Sequence, residues 1–329
     1  YNIAINGEAS IMIYRDGWYY LLLTHGSCCR GADSGYNIRV GRSRSVTGPF
    51  LDHEGIDMIK GGGKLFVGSS GRVIGAGHFG LLNLGEEVQK FSLHWEADLD
   101  RGGASVLDIR PLLWSGGWPV AGENVQAGTY QIQSVRTGTA LELAVEGVPV
   151  GGSPARRRSD AGGTPPAGGG AGAPPAGGPP AGGGGMFAGR GGVIPPQDVA
   201  EVSQKWPAGA VDLRMGNYMC QAQQKWTLTP MPDAGGYPGS PYFKITIAGT
   251  DRTLAATADA ELIVLPAYTG APEQLWRIDQ LTDGSYRIMP KSVPNAKEAL
   301  ALSAVGSSFA TLAKFDPGSL KQRWLLKTP

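Results

Sequence analysis

NGEASIMIYRDGWYYLLLTHG, Asn6 to Gly26, decides the architecture of the first part of this chain. Asp16 and Gly17 stand between two runs rich in apolar and aromatic residues, Ser10 to Tyr14 and Trp18 to Thr24. An Asp-Gly pair supplies the two positive φ angles that a type I′ hairpin turn demands. The same alternation of short strand and glycine, aspartate or serine continues downstream. It predicts strands over Asn37 to Arg42, Lys64 to Val67, Arg72 to Ile74, Phe79 to Leu82, Phe91 to Ala97 and Val106 to Pro111. No stretch keeps helical periodicity for three turns, so this part reads as all-β. Strands at this spacing suit a sandwich, a barrel or a propeller. A propeller blade takes four strands and on the order of 50 residues, so the segment supplies about two blades, too few to close a ring.

Composition narrows the function classes. With 29 basic and 28 acidic residues the net charge is +1, which gives no electrostatic reason to expect nucleic acid or an anionic membrane surface as partner. The longest strongly apolar run, Trp18 to Leu23, is far below the roughly 20 residues of a membrane helix. The length of 329 residues suggests about two domains. The chain opens at Tyr1 with neither an initiator methionine nor a signal segment, and is read as truncated or processed. Cys28, Cys29 and Cys220 form no disulfide framework and lack the paired spacing of a zinc site. They are read either as small buried residues or, for Cys28 and Cys29, as an adjacent disulfide that leaves Cys220 without a partner.

Residues 151–195 hold 17 glycines and 8 prolines, with repeated PPAGG units. Such a stretch buries too little apolar surface to offset its chain entropy and is expected to be a disordered insertion. Arg156 to Arg158 within it read as a solvated basic spot rather than a polyanion contact.

An internal repeat surrounds that insertion. Tyrosine-led strands begin at Thr129 (TYQIQSV), Tyr242 (YFKITIAG) and Ser285 (SYRIMPKS); leucine-centred strands follow around Leu141, Leu254 and Leu300. Each copy closes on Gln-x-Trp, at Gln224 to Trp226, Gln274 to Trp276 and Gln322 to Trp324, spaced by 50 and 48 residues. Units that cannot bury their own apolar face alone must share one core. A fourth match, Gln204 to Trp206, is followed by Pro207 and no apolar strand, and is read as a decoy. The pattern resembles the ricin-type β-trefoil lectins, in which these tryptophans are core residues. Sugar-binding trefoils place an acid just after the leucine of the second strand. That position reads Glu142, Ala255 and Ala301, so the resemblance implies Glu142 as the one candidate sugar contact, against a plain scaffold reading.

The opening segment, with CCRG, SGYNIRVGRSRSVTGPF, the glycines Gly61 to Gly63 and GAGH at Gly75 to His78, resembles the C-terminal blades of family 43 glycoside hydrolases, and their arabinan-cleaving branch more than their xylosidase branches. Glycosidic hydrolysis uses one carboxylic acid to protonate the leaving oxygen and a second carboxylate as base or nucleophile, roughly 6.5 to 9.5 Å apart in inverting enzymes. The resemblance implies Glu8 as the general acid, although Ser10 replaces the family's usual proline. It puts Arg30 near the cleft as a fork-shaped donor to sugar or carboxylate, gives Tyr36 a sugar face to stack on, and sets His78 at the propeller axis, where it would hold a calcium or sodium ion or a water network. His25, His53 and His94 have no such context and read as structural or surface residues. The family's base and pKa-tuning aspartates lie on earlier blades and have no counterpart here.

The expected architecture is therefore all-β. The C-terminal two blades of a five-bladed propeller occupy residues 1–121, a linker 122–128 follows, and a β-trefoil spans 129–329. The expected activity is inverting hydrolysis of arabinan or a related plant polysaccharide, as a fragment lacking the base and inactive alone. The alternatives are an exo-acting arabinofuranosidase or xylosidase and a non-catalytic carbohydrate-binding protein. An extracellular or periplasmic location follows from the substrate; the oligomeric state is not legible.

Overall fold

In the computed structural model Asp16 and Gly17 take φ values of 51° and 78°. They turn β1 (Gly7–Arg15) into β2 (Trp18–His25) with Arg15 directly opposite Trp18, the two-residue turn the sequence demands. β3 (Asn37–Ser43) and β4 (Lys64–Val67) complete an antiparallel sheet in the order β1-β2-β3-β4. A second sheet follows with β5 (Val73–Asn83), β6 (Gln89–Asp98), β7 (Ala104–Ser115) and β8 (Trp118–Ala121) in that order. The structure describes residues 2–145, 198–237 and 239–329; the insertion expected at 151–195, with Arg156 to Arg158, lies outside the described residues.

β2 is almost continuously apolar because both of its faces are covered. Tyr20 and Leu22 share a core with Ile38, Val40, Phe91, Leu93, Trp95 and Leu112, so the two sheets pack on one another. Leu21 and Leu23 pack on Phe50 and Met58 from the loop before β4. Each such side chain contributes about 1.5 to 3 kcal/mol on burial, which is why a sheet of four short strands is held so firmly at its centre. β5 differs from expectation. Two strands were expected, Arg72 to Ile74 and Phe79 to Leu82; one strand runs through both, with a register shift between Gly77 and Gly80. β8 was not anticipated: Pro119 and four residues gave no strand signal, yet Trp118 is buried edge-on to Tyr20.

The remaining strands form three four-strand copies: β9 (Gly128–Ser134), β10 (Ala140–Leu143), β11 (Val211–Gly216) and β12 (Trp226–Tyr237); β13 (Ser240–Ile247), β14 (Thr253–Ala256), β15 (Leu262–Leu265) and β16 (Leu275–Gln280); β17 (Tyr286–Pro290), β18 (Leu300–Val305), β19 (Phe309–Lys314) and β20 (Trp324–Lys327). Trp226, Trp276 and Trp324 are fully buried in one shared core. Their indole N–H groups donate to the carbonyls of Leu141, Leu254 and Leu302 at 2.9, 3.0 and 3.0 Å. The partner glutamines clamp the preceding turn in the same way each time. The side-chain oxygens of Gln224, Gln274 and Gln322 accept from the N–H of Met219, Thr269 and Asp316, and their amides donate to the carbonyls of Asn217, Ala267 and Lys314. The motif is thus a structural unit in which glutamine holds the turn and tryptophan the hairpin. The bond from Trp324 corrects the third copy: its equivalent leucine is Leu302, not Leu300, and the residue after it is Ser303, not Ala301. Trp206, in contrast, is buried with its indole nitrogen unpartnered among the described residues, beside the short helix α1 (Val199–Ser203), in keeping with a decoy.

The mouth of the three-copy barrel abuts the second sheet. Trp114 N–H donates to the Thr282 carbonyl at 2.7 Å and Thr282 N–H to that of Glu87 at 2.9 Å, while buried Lys90 reaches Ser240 Oγ at 2.8 Å. Arg323 pairs with both Glu87 and Asp283.

Candidate functional site

Glu8, Thr24 and His78 come together across three strands. Glu8 is exposed on β1 opposite Thr24 of β2, at a bulge that runs from Glu8 to Ile11 with Ala9 at a φ of 46°. The bulge breaks the ladder and re-aims the side chains at this end of the sheet. Buried Thr24 turns its hydroxyl to the neighbouring sheet and accepts the His78 N–H at 2.8 Å. His78 sits at the irregular step of β5 with a φ of 57°, a left-handed conformation uncommon for a side-chain-bearing residue. There its ring is exposed instead of buried between the sheets.

The ring meets a second histidine that sequence reasoning had set aside. His78 Nδ1 lies 3.0 Å from His94 Nδ1 on β6, with the ring centroids 4.8 Å apart. Burial and the neighbouring His78 hold the His94 imidazole below its usual pKa, against the opposing pull of Glu96 and the Gly77 carbonyl. Tyr36 packs edge-on to both rings, 6.3 and 6.4 Å away, and is only 4 % exposed. Its faces are taken up by packing, so the expected stacking of Tyr36 on a sugar is not available in this geometry. The rings approach so closely only because residue 77 is glycine: a Cβ there would stand 2.9 Å from Tyr36 Cδ2 and 3.1 Å from His94 Cε1.

Arg30 lies in the β2–β3 loop at the same end of the sheet, with its side chain exposed. The loop is held by Glu96 on β6, 8 % exposed, which accepts the backbone N–H of Cys29 at 2.8 Å and of Arg30 at 3.3 Å. Burial opposes ionisation of Glu96, but these two N–H groups and the Ser34 hydroxyl together keep its carboxyl below the usual range. Cys28 and Cys29 are joined as an adjacent disulfide and Cys220 is free, the second of the two readings. A cavity of about 490 Å³ opens beside the loop, lined among others by Ser34, Asn37, Arg39 and Ser69. Sequence reasoning missed Glu96 and His94; both lie in FSLHWEAD, whose only signal is that of a strand, with polar residues two apart on one face.

Glu142 is far from this cluster in sequence and in role. It is 6 % exposed; one carboxylate oxygen takes the Arg214 guanidinium at 2.5 Å and the other the Gln224 amide at 2.6 Å. Both oxygens are therefore engaged in holding β10 to β11 and to the first Gln-x-Trp turn, and burial keeps what acceptor capacity remains away from a sugar hydroxyl.

Among the described residues, the histidine, cysteine and acidic side chains do not gather into an oxygen cage for calcium or sodium. Such ions take about six to eight oxygen ligands. Among the described residues the grouping of ligand atoms within 4.8 Å of one another is Cys28, Cys29 and Glu96, whose two sulfurs are already bonded together. His78 offers one nitrogen, and its neighbour is another imidazole.

Comparison with known proteins matches two separate segments. Residues 4–119 match the model of the glycosyl hydrolases family 43, and residues 222–314 that of the ricin-type beta-trefoil lectin domain-like family. The extracellular endo-alpha-(1->5)-L-arabinanase 1 of Bacillus subtilis is 37% identical over 112 residues, 34% of this chain and 33% of that protein. The extracellular exo-alpha-(1->5)-L-arabinofuranosidase ArbA of Cellvibrio japonicus is 38% identical over 118 residues, 35% of this chain and 33% of that protein. A solved alpha-L-arabinanase of Cellvibrio cellulosa, in complex with arabinohexaose, shows 37% identity over 35% of this chain and 36% of its own, with a TM-score of 0.34. The chain spans about a third of the length of the curated relatives it matches. Along the chain, a segment that matches the family 43 glycosyl hydrolases is thus followed by one that matches the ricin-type beta-trefoil lectin domain-like family.

Proposed function

We propose that this protein is an inverting glycosidase that cleaves α-1,5-linked arabinan, with Glu8 as the general acid. The observation that carries the reading is the junction of Glu8, Thr24 and His78 at one end of the first sheet, within the segment that matches family 43. An exposed carboxyl there can give its proton to a leaving glycosidic oxygen and take one back from water in the next cycle. The two four-stranded sheets are read as two blades of a five-bladed propeller over residues 1–121, joined by 122–128 to the trefoil at 129–329. The base carboxylate is assigned to the remaining blades. Arg30 is the sugar-binding donor, and His78 orders water above its partner His94; a calcium or sodium ion would be held there through that water, and no step of the reaction is assigned to it. The curated relatives include both endo- and exo-acting enzymes on (1->5)-linked arabinan and are described as extracellular, which supports the substrate and an extracellular location. An exo-acting arabinofuranosidase is the second reading.

The test is Glu8→Gln in the full-length protein. Loss of a positioned acid costs roughly 10² to 10⁴ in rate, so hydrolysis of linear arabinan should fall by at least a hundredfold. Activity within a few-fold of wild type would remove Glu8 from the reaction.

A further inference from the structure

Glu96 has no part in the reaction as proposed, yet it is among the most engaged carboxylates of the molecule. It is one residue pair along β6 from His94, on the same face, since successive residues of a strand alternate sides. One of its oxygens accepts from Cys29 N–H and the other from Arg30 N–H. Ser34, at the far end of the same loop, places its hydroxyl against the carboxylate as well. The loop has no regular backbone pairing of its own beyond a single 3₁₀ turn at Gly31–Asp33 and one bond from Gly35 N–H to the Ser27 carbonyl. Its conformation is demanding: Cys29 has a φ of 65° and the disulfide joins adjacent residues. Gly75 at a φ of 73° lets β5 pass beneath, where a Cβ would come within 2.7 Å of Ser34 Cβ and 3.0 Å of Glu96 Cβ.

We propose that Glu96 is the positioning residue of the sugar-binding loop: by taking the N–H groups of Cys29 and Arg30 on its two oxygens, it fixes the backbone from which Arg30 reaches the polysaccharide. This rests on the reading of Arg30 as a sugar contact. A carboxylate suits the task because it is acceptor-only and charged, and hydrogen bonds to a charged acceptor are stronger than those between neutral groups. The disulfide limits the loop covalently at the same point, so two independent restraints meet at Cys29. Because β6 also carries His94, one strand face organises both the histidine pair beside Glu8 and the loop that holds substrate. Glu96 therefore acts on binding through Arg30 and not on the reacting atoms.

The experiment compares wild type, Glu96→Gln, Arg30→Ala and the double variant in the full-length protein, with linear α-1,5-arabino-oligosaccharides as substrate. Glutamine keeps the shape but turns an N–H donor toward backbone donors. Each single substitution should raise KM about tenfold, a loss of about 1.4 kcal/mol, and raise it at least three times more than it lowers kcat. The double variant should be no more than about twice as impaired as either single one, because residues acting as a unit are non-additive. Multiplying effects, or an unchanged KM for Glu96→Gln, would overturn the assignment. Amide hydrogen exchange at Cys29 and Arg30 supplies a readout independent of substrate. Exchange should speed up in Glu96→Gln and not in Arg30→Ala, and unchanged exchange also overturns the clamp. If wild type neither binds nor cleaves the oligosaccharides while exchange responds as expected, the arabinan reading fails and the clamp stands. Should Glu96→Gln not fold, Glu96→Asp, one carbon shorter with its charge kept, carries the same comparison.

Discussion

The Nδ1 atoms of His78 and His94 lie 3.0 Å apart, so one ring must present a proton and the other a lone pair. Two imidazolium rings cannot occupy this arrangement, and His94, the more buried, is held below its ordinary pKa. A depressed pKa in the folded state means that the unfolded chain binds more protons, so stability rises with pH. The contribution is complete above the ordinary value of 6.5 and is lost as pH falls below it. We expect the melting temperature to drop between pH 7.5 and pH 5, and the drop to be shallower in His94→Gln. Identical pH profiles for the two proteins would remove His94 as the titrating group.

Gly77 is a position where a single added methyl group should disturb the histidine pair directly. Gly77→Ala forces an added Cβ against Tyr36, His94 and, at 3.3 Å, Thr24 Cγ2. Overpacking of this kind costs about 1 to 3 kcal/mol. Denaturant unfolding should register that loss, and hydrolysis should fall although Glu8 is untouched.

The three tryptophans offer a symmetric test. Phenylalanine at 226, 276 or 324 leaves the carbonyl of Leu141, Leu254 or Leu302 buried without its donor, at a cost of about 1 to 3 kcal/mol in addition to the smaller ring. The three variants should destabilise the trefoil by similar amounts in chemical denaturation. A neutral result at one position would show that its copy is not equivalent to the others.

Glu142→Gln separates a structural carboxylate from a sugar ligand. It weakens the contact with Arg214 and turns an amide toward Gln224, so stability should fall by about 1 to 2 kcal/mol. Binding of arabinose oligosaccharides, followed by calorimetry, should not change.

What the sequence reveals depends on how local the determining chemistry is. Asp16-Gly17 specifies its hairpin alone, and three Gln-x-Trp motifs report a repeat because each carries out the same two hydrogen-bonding tasks. β5 was read as two strands because Gly75 and Gly77 look like breaks; the glycines instead admit Ser34, Glu96, Tyr36 and His94 to van der Waals range, a long-range fact with no local mark. Tyr36 and Glu142 have the residue types of sugar contacts, but neighbours distant in sequence had already engaged them. In the third copy the leucine was misplaced by two residues, a full strand period, so the same face was read and only the depth was wrong.

The seam between the second sheet and the barrel mouth also governs motion. Main-chain bonds from Trp114 to Thr282 and from Thr282 to Glu87, flanked by Lys90 to Ser240, leave no free swivel between the two parts, since a rotation of either would have to rupture peptide-group pairing and expose a buried ammonium group together. The trefoil is in this sense docked rather than tethered: its seam is bonded to β6 through Lys90, the strand that also carries Glu96 and His94.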